Sequence, residues 1–142
     1  MKILVVEDQT VTREMILAVA HAAFPGAIVR AAADLSTALT SARSMAGLDM
    51  VLLDLGLPDS QGLDGLLRFK NDFPQAKVVI VSSQDSPEVI ADALDAGASG
   101  FIPKRLGIPV MIAALKLVAQ RGVYHPPGFP RARSGNGYKG PL

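Results

Sequence analysis

The chain contains no cysteine and no tryptophan, and only 5% of its 142 residues are aromatic. Without cysteine it can form neither a disulfide framework nor a thiolate metal site, which is consistent with a reducing cytoplasm. No apolar run approaches the roughly 20 residues that a helix needs to cross a bilayer. The N-terminus carries no signal-peptide pattern. We therefore expect a cytoplasmic protein that makes no contact with the membrane.

The charge is nearly balanced, so the chain lacks a basic surface of the kind that binds nucleic acid. The formal net charge is +1, from 14 Lys and Arg and 13 Asp and Glu. All of the acids lie in residues 1–124, whereas the C-terminal stretch carries Arg131, Arg133 and Lys139. Three dispersed cations do not make a nucleic-acid footprint. We interpret that stretch as a solvated tail.

Five short apolar runs recur at a steady interval along the chain. They occupy residues 3–6, 28–31, 50–53, 78–81 and 100–102. Each run is too short for a helix and too continuous for a strand that is exposed on one face. The pattern is typical of parallel strands buried on both faces of a sheet.

Segments with helical periodicity separate these runs. The predicted buried faces are Val11, Met15, Ala18, Val19 and Ala22; Leu35, Ala38, Leu39 and Ala42; Leu63, Leu66 and Leu67; Ile90, Ala93 and Leu94; and Val110, Ala113, Ala114 and Leu117. Asp34 and Ser86 stand where N-caps belong, Pro109 falls in a first turn, and Gly97 and Gly122 stand where left-handed C-caps belong. Five strand–helix units predict a doubly wound, five-stranded parallel α/β sheet with helices on both faces.

The periodicity stops after Gly122. Residues 123–142 are rich in proline and glycine and show no apolar repeat. We therefore predict one domain over residues 1–122, followed by a linker or tail over residues 123–142.

Polar residues cluster where the predicted strands end. Glu7 and Asp8 follow the first strand, Asp54 the third, Ser82 ends the fourth, and Lys104 follows the fifth. Open parallel sheets bind ligands at this carboxyl edge, where the strand order reverses. In a sheet of order 2-1-3-4-5, strands one and three flank that point. The three carboxylates are therefore expected to meet in one cleft.

Three neighbouring carboxylates repel one another unless a cation intervenes. Mg²⁺ suits oxygen ligands and a site that also meets phosphate. A carboxylate such as Asp54 can then attack phosphorus and form an aspartyl-phosphate. Lys104 can neutralise charge on the transferred group, and Ser82 can donate a hydrogen bond to it.

Four stretches carry a resemblance to a known family, the response-regulator receiver domains of two-component signalling. They are Val5-Val6-Glu7-Asp8, Leu53-Asp54-Leu55-Gly56-Leu57-Pro58, Val81-Ser82-Ser83 and Phe101-Ile102-Pro103-Lys104. Each stretch alone is weak, but they occur in the expected order at the expected strand ends, and the resemblance covers residues 1–122. It implies a flavodoxin-like fold and phosphoryl transfer from a sensor histidine kinase.

The resemblance also implies a role for each matching residue. Asp54 is the phospho-acceptor, and Asp8 is a direct Mg²⁺ ligand with Glu7 as its acidic neighbour. The metal site is completed by Asp54 itself and by the backbone carbonyl of Gly56. The remaining implied roles belong to Ser82 as switch hydroxyl, Phe101 as switch aromatic and Lys104 as the partner of the phosphoryl group.

The stretch around Lys104 departs from the common pattern, because Pro103 precedes the lysine and Arg105 follows it. This form resembles the receivers of LuxR/NarL-type transcriptional regulators. The resemblance implies that DNA is contacted only through a C-terminal domain absent from this chain. We expect an output by altered self-association, including a possible homodimer, or by contact with an effector domain.

Three other functions remain open from the residues alone. The chain can be a phosphorylation-independent pseudo-receiver that acts as a protein-interaction module. A phosphatase with an aspartyl nucleophile requires a second acid two residues later, where Gly56 stands. A flavin-binding domain requires a phosphate cradle after the first strand, where the loop is acidic. We expect a switch, and not an enzyme, with a phosphoryl lifetime set by small Gly56 beside Gln84.

Overall fold

The computed structural model of this chain describes residues 1–126, apart from the side chain of Arg121. The predicted tail beyond residue 126, with Arg131, Arg133 and Lys139, lies outside the described residues. Strands and helices alternate in the order β1 (Lys2–Val6), α1 (Thr10–Ala23), β2 (Ile28–Ala32), α2 (Leu35–Arg43), β3 (Met50–Leu53), α3 (Asp64–Asp72), β4 (Lys77–Ser82), α4 (Pro87–Asp95), β5 (Gly100–Pro103) and α5 (Ile108–Arg121). A 3₁₀ turn over Lys104–Leu106 connects β5 to α5.

The five strands form one parallel sheet in the order β2-β1-β3-β4-β5, as the sequence predicts. Val6 at the end of β1 is in register with Leu53 at the end of β3. Ser82 at the end of β4 is in register with Pro103 at the end of β5. The residues that follow β1 and β3 therefore emerge side by side, at the point where the chain changes direction across the sheet.

Alternate residues of the strands pack on opposite faces of the sheet. Leu4 and Val6 of β1 belong to the core beneath α2, α3 and α4. Ile3 and Val5 belong to the core beneath α1 and α5. The prediction that all strands are buried on both faces is wrong for β2, where only Ala32 is fully buried. β2 lies at the sheet edge, so α1 and α2 cover it only partly.

Two of the predicted helix faces are correct and three need correction. The faces of α2 and α4 are buried as predicted. In α3, Leu67 is 39% exposed and Phe69 is buried in its place. The faces of α1 and α5 are each rotated from the prediction: α1 buries Ile16, Val19, Ala20 and Ala23, and α5 buries Met111, Ala114, Leu115 and Val118.

The rotation has a simple cause in the composition of these two helices. Each helix contains an uninterrupted apolar run, Met15–Ala20 in α1 and Val110–Leu115 in α5, so more than one face satisfies a helical period. Packing in one core with residues of β1, β3, β4 and β5 selects the face that carries Ile16 or Met111. Val11 is consequently left 84% exposed.

The predicted helix caps form. Asp34 Oδ1 accepts a hydrogen bond from the Thr37 amide at 2.7 Å, and Ser86 Oγ accepts one from the Val89 amide at 3.3 Å. Gly122 adopts a left-handed conformation with φ of 93° directly after α5. Such side-chain caps are worth about 1 kcal/mol each.

Asp59, in the connection after β3, adds a second cap to α2 that the sequence did not predict. Its two carboxylate oxygens accept hydrogen bonds from the amides of Leu35 at 2.8 Å and Ser36 at 2.9 Å. The negative charge also faces the positive end of the α2 dipole. Asp59 thereby ties the connection that follows Asp54 to the start of α2.

Tyr124 pairs with the outer edge of β5. Its amide donates to the Ser99 carbonyl at 2.8 Å, and its carbonyl accepts from the Phe101 amide at 3.2 Å. A side chain at Gly100 would approach Val118 and Tyr124 to 3.2–3.3 Å. Glycine therefore allows the chain after α5 to lie against the sheet.

No helix within the described part of the chain is both long and apolar enough to cross a membrane.

The cap made by Asp59 predicts a pH-dependent loss of stability. The two backbone hydrogen bonds lower the pKa of Asp59 below its ordinary value of 3.8. A depressed carboxyl pKa contributes stability above the unfolded pKa, and that stability is lost as pH falls through the folded value. Asp59→Asn should therefore cost at most about 1 kcal/mol at pH 7, because the site is solvent-exposed. Urea unfolding should show that the difference in free energy of unfolding between the wild type and Asp59→Asn shrinks below pH 4.

Glu14→Gln, on the exposed face of α1, is the control. An equal effect of both variants at all pH values would contradict the capping role.

Candidate functional site

Three carboxylates meet at the carboxyl edge of the sheet. Glu7 follows β1 and Asp54 follows β3. The amide of each residue donates one more hydrogen bond to the neighbouring strand, so the pairing continues one residue beyond the strand end. The Asp54 amide donates to the Val6 carbonyl at 3.1 Å. One carboxylate oxygen from each of Glu7, Asp8 and Asp54 lies within 4.8 Å of the other two. The predicted cluster of acids therefore forms.

The three acids differ in their exposure to solvent. Glu7 is fully buried, Asp54 is 7% exposed, and Asp8 is exposed. Burial raises the pKa of Glu7, and hydrogen bonds from Lys104 and the Gln9 amide oppose that rise. The negative charge of Asp54 raises the pKa of Glu7 further. The site thus holds a buried acid whose charge depends on a cation close by.

Lys104 supplies that cation from the turn after β5. Its ammonium donates to Glu7 Oε1 at 2.6 Å and lies 3.5 Å from Asp54 Oδ2. Lys104 itself is largely covered, with 18% of its side chain exposed. The sequence predicted Lys104 in this cleft, but it did not predict that Glu7 would be its nearer partner.

Ser82 and Phe101 lie beneath the cleft, and both are buried. Ser82 Oγ accepts a hydrogen bond from the Gln84 amide at 3.2 Å. Phe101 belongs to the core on the α2–α4 side of the sheet, one strand away from Ser82. The positions of the two residues suit coupled movement, and their roles as switch residues stay predictions.

Gly56 lies directly against the Asp54 carboxylate. A Cβ atom at this position would be 3.4 Å from Asp54 Oδ2 and 3.4 Å from Gln84 Nε2. Gly56 is exposed, so the absence of a side chain leaves the carboxylate open from this direction. The predicted use of its carbonyl as a metal ligand stays a prediction.

Two cations at the rim of the site were not identified from the sequence. Arg13 of α1 donates from Nη1 to the Glu7 carbonyl at 2.9 Å and to the Asp8 carbonyl at 3.4 Å. Arg105 forms an ion pair with Asp85 at 2.8 Å, which joins the connections after β5 and β4. The sequence feature that could have identified Arg13 is its position, one turn into the helix that follows an acidic loop.

The donor set fits a hard divalent cation. Three carboxylates from two adjacent loops provide oxygen ligands only, and their negative charge exceeds what Lys104 neutralises. Mg²⁺ prefers such ligands and keeps several water molecules, so it suits a cleft with an open side. The exposed residues Asp8 and Gly56 line that open side.

Comparisons with known proteins agree with this geometry. The response regulator receiver domain family matches residues 3–116. The glycerol metabolism activator of Pseudomonas putida is 38% identical over 136 residues, which are 96% of this chain and 62% of that protein. This chain therefore spans less than two thirds of that relative's length.

Solved structures agree as well. A LuxR family DNA-binding response regulator from Silicibacter pomeroyi is 33% identical with a TM-score of 0.76, over 89% of this chain and 97% of that one. The isolated REC domain of RcsB from Salmonella enterica serovar Typhimurium is 14% identical with a TM-score of 0.80, over 89% and 94% of the two chains, and shares the fold. The chain belongs to the response regulator receiver domain family, with LuxR-family response regulators among its structural neighbours.

Proposed function

We propose that this chain is a phosphorylation-controlled switch in which Asp54 accepts a phosphoryl group from the phosphohistidine of a sensor kinase. One observation carries the proposal: the Asp54 carboxylate lies within 4.8 Å of oxygens of Glu7 and Asp8 and 3.5 Å from the ammonium of Lys104. This arrangement brings together a nucleophile, a set of metal ligands and a cation for the transferred charge.

The transfer needs positioning and charge neutralisation more than acid–base chemistry. An oxygen of Asp54 forms a bond to phosphorus while the bond from phosphorus to the donor nitrogen breaks, and that nitrogen keeps the electron pair. Little of Asp54 is exposed, so the donor must approach through the open side at Gly56. Burial of the site also strengthens the attraction between Lys104 and the phosphoryl oxygens.

Mg²⁺ is the cation that we propose for the acid cluster. Asp8 and Asp54 would hold it directly, Glu7 would act as their acidic neighbour, and the Gly56 carbonyl would complete the protein ligands. When bound, Mg²⁺ neutralises charge on the phosphoryl oxygens and orients them for in-line transfer. The all-oxygen donor set, gathered within 4.8 Å, supports this assignment.

In the proposed switch, the ammonium of Lys104 changes its partner from Glu7 to the group on Asp54. Its ammonium lies nearer to Glu7 than to Asp54, at 2.6 Å against 3.5 Å. A phosphoryl group on Asp54 carries about two negative charges where the carboxylate carried one, which favours movement of Lys104 toward it. The Ser82 hydroxyl then exchanges the Gln84 amide for a phosphoryl oxygen, and Phe101 follows into the space that Ser82 leaves. The ends of β4 and β5 and the start of α4 shift as a result.

We further propose how the rest of the protein uses the switch. Residues 1–122 form the receiver, and residues 123–142 lead toward a DNA-binding output domain that is absent from this chain. The similarity to a LuxR family DNA-binding response regulator supports this proposal. Phosphorylation would alter homodimer formation or the contact with the output domain.

Mg²⁺ binding is tested by thermal unfolding with and without the ion. A ligand that binds only the folded state stabilises it by RT ln(1 + [L]/Kd). We expect Mg²⁺ to raise the Tm of the wild-type chain and to leave Asp8→Asn nearly unchanged. Without the ion, Asp8→Asn should match or exceed wild-type stability, because one repelling charge is removed.

Glu14→Gln, which removes one charge from the exposed face of α1, is the matched control and should keep the full Mg²⁺ response. An equal response of the wild type and Asp8→Asn would exclude Asp8 as a metal ligand.

Phosphorylation is tested by incubation with acetyl phosphate or phosphoramidate in the presence of Mg²⁺, followed by mass spectrometry of the intact protein. We expect the gain of one phosphoryl group in the wild type and in the control variant Asp64→Asn, and none in Asp54→Asn. Lys104→Ala should phosphorylate at least about ten-fold more slowly, because the cation for the transferred charge is lost. No gain in the wild type, or a gain that survives Asp54→Asn, would favour the pseudo-receiver.

The lifetime of the phosphoryl group should depend on position 56. Gly56 leaves the Asp54 carboxylate open, so we expect water to hydrolyse the aspartyl-phosphate within minutes to hours. Gly56→Asn should slow that loss several-fold, because its side chain would stand between Asp54 and Gln84. Loss of the phosphoryl group is followed by mass spectrometry after the donor is removed, with Ser60→Ala as control. An aspartyl-phosphate that lasts for days in the wild type would contradict this account.

A further inference from the structure

The β1–α1 connection is held in an unusual way. Gln9 is the N-cap of α1, but its side chain makes no capping hydrogen bond, and the first turn contains no acid. Instead, Arg13 reaches back from the second turn and donates to the Glu7 carbonyl at 2.9 Å and the Asp8 carbonyl at 3.4 Å. The loop that carries two of the three acids is therefore fixed by a side chain of the helix that follows it.

The hydrogen bonds from Arg13 to the loop backbone, called the Arg13 clamp below, determine the position of Asp8 in particular. Glu7 is held by Lys104 and by the Gln9 amide, at 2.6 Å and 3.1 Å. Within residues 1–126, no hydrogen bond or ion pair holds the exposed carboxylate of Asp8. Its location near Glu7 and Asp54 therefore depends on the backbone that carries it, and Arg13 holds that backbone.

The guanidinium bonds to carbonyl oxygens and leaves the carboxylates free. A cation this close to an acidic cluster could form an ion pair with it and compete with a metal. In this structure Arg13 forms no ion pair with Glu7, Asp8 or Asp54 among the described residues. Both hydrogen bonds come from one nitrogen of the guanidinium, Nη1, and they fix the geometry of the loop.

We infer that Arg13 is a positioning residue for the metal site: it fixes the Glu7–Asp8 backbone so that the Asp8 carboxylate faces Asp54 before the cation arrives. Loss of such an outer contact typically weakens metal binding ten-fold or more. The inference deepens the proposed function and rests on it, since it assumes that Glu7, Asp8 and Asp54 bind Mg²⁺.

A positioning role and a purely electrostatic role predict opposite changes in affinity. If Arg13 acted only as a positive charge beside the site, its removal would strengthen Mg²⁺ binding. If it positions Asp8, its removal weakens binding even though a repelling charge is lost. The sign of the change in the Mg²⁺ dissociation constant therefore separates the two roles.

The experiment is a titration of the metal-free chain with Mg²⁺, followed by amide chemical shifts, at fixed ionic strength. We expect Arg13→Met to raise the dissociation constant about ten-fold. Arg13→Lys, which keeps the charge but replaces the planar guanidinium with an ammonium, should raise it by a smaller factor. Arg30→Met is the control for total charge, because Arg30 lies in β2 and bonds Ser44 at the end of α2, so the dissociation constant should stay unchanged.

A dissociation constant that is unchanged or lowered in Arg13→Met overturns the positioning role while leaving the proposed metal site intact. A wild-type chain that shows no Mg²⁺-dependent shifts overturns the metal site and this inference together. Should Arg13→Met fail to fold, Arg13→Lys decides the question, because an unchanged affinity in that variant excludes dependence on the guanidinium geometry. Amide exchange at Asp8 and Gln9 in the metal-free state should be faster in both variants than in the wild type.

Discussion

The ion pair between Glu7 and Lys104 is the interaction on which the rest of the site depends. A fully buried carboxylate that lacks a partner costs several kcal/mol, and the proximity of Asp54 adds repulsion to that cost. Lys104 offsets both from a position 97 residues away in sequence. The pair also links the ends of β1 and β5, so the cleft between them has a defined width.

In the proposed switch, the same ion pair would carry a small chemical change to the surface. Lys104 is shared between two acids, at 2.6 Å from Glu7 and 3.5 Å from Asp54. Ser82 and Phe101 lie in a buried core, which leaves no room for gradual adjustment. A change of partner by Lys104 would therefore reach β4 and β5 as a shift between two packings. The pairing of Phe101 with Tyr124 would extend this path to the chain that follows α5.

The sequence predicted the architecture well because the strands are short, largely apolar runs and the polar residues of the site stand at the strand ends or directly after them. The order of the strands then brings Glu7, Asp8, Asp54 and Lys104 together without further information. The rotation of α1 and α5 could not be predicted, since an alanine-rich helix can bury any of several faces equally well. The exposed surface of β2 was missed although Arg30 interrupts its apolar run and signals exposure.

Details of the site were beyond the sequence for a different reason. The preference of Lys104 for Glu7, the clamp made by Arg13 and the cap made by Asp59 depend on side-chain directions in three dimensions. These contacts join residues whose spacing follows no motif. They are also contacts that hold the connections around the acid cluster in place.

The most direct test of the central claim is a crystal structure of the chain with Mg²⁺ and beryllofluoride, which mimics the phosphoryl group on Asp54. The account predicts that Lys104 leaves Glu7 and bonds a fluoride, with Ser82 bonded to another and the metal held by Asp8 and Asp54. A structure in which Lys104 stays on Glu7, with no adduct on Asp54 and no metal among the three acids, would contradict it.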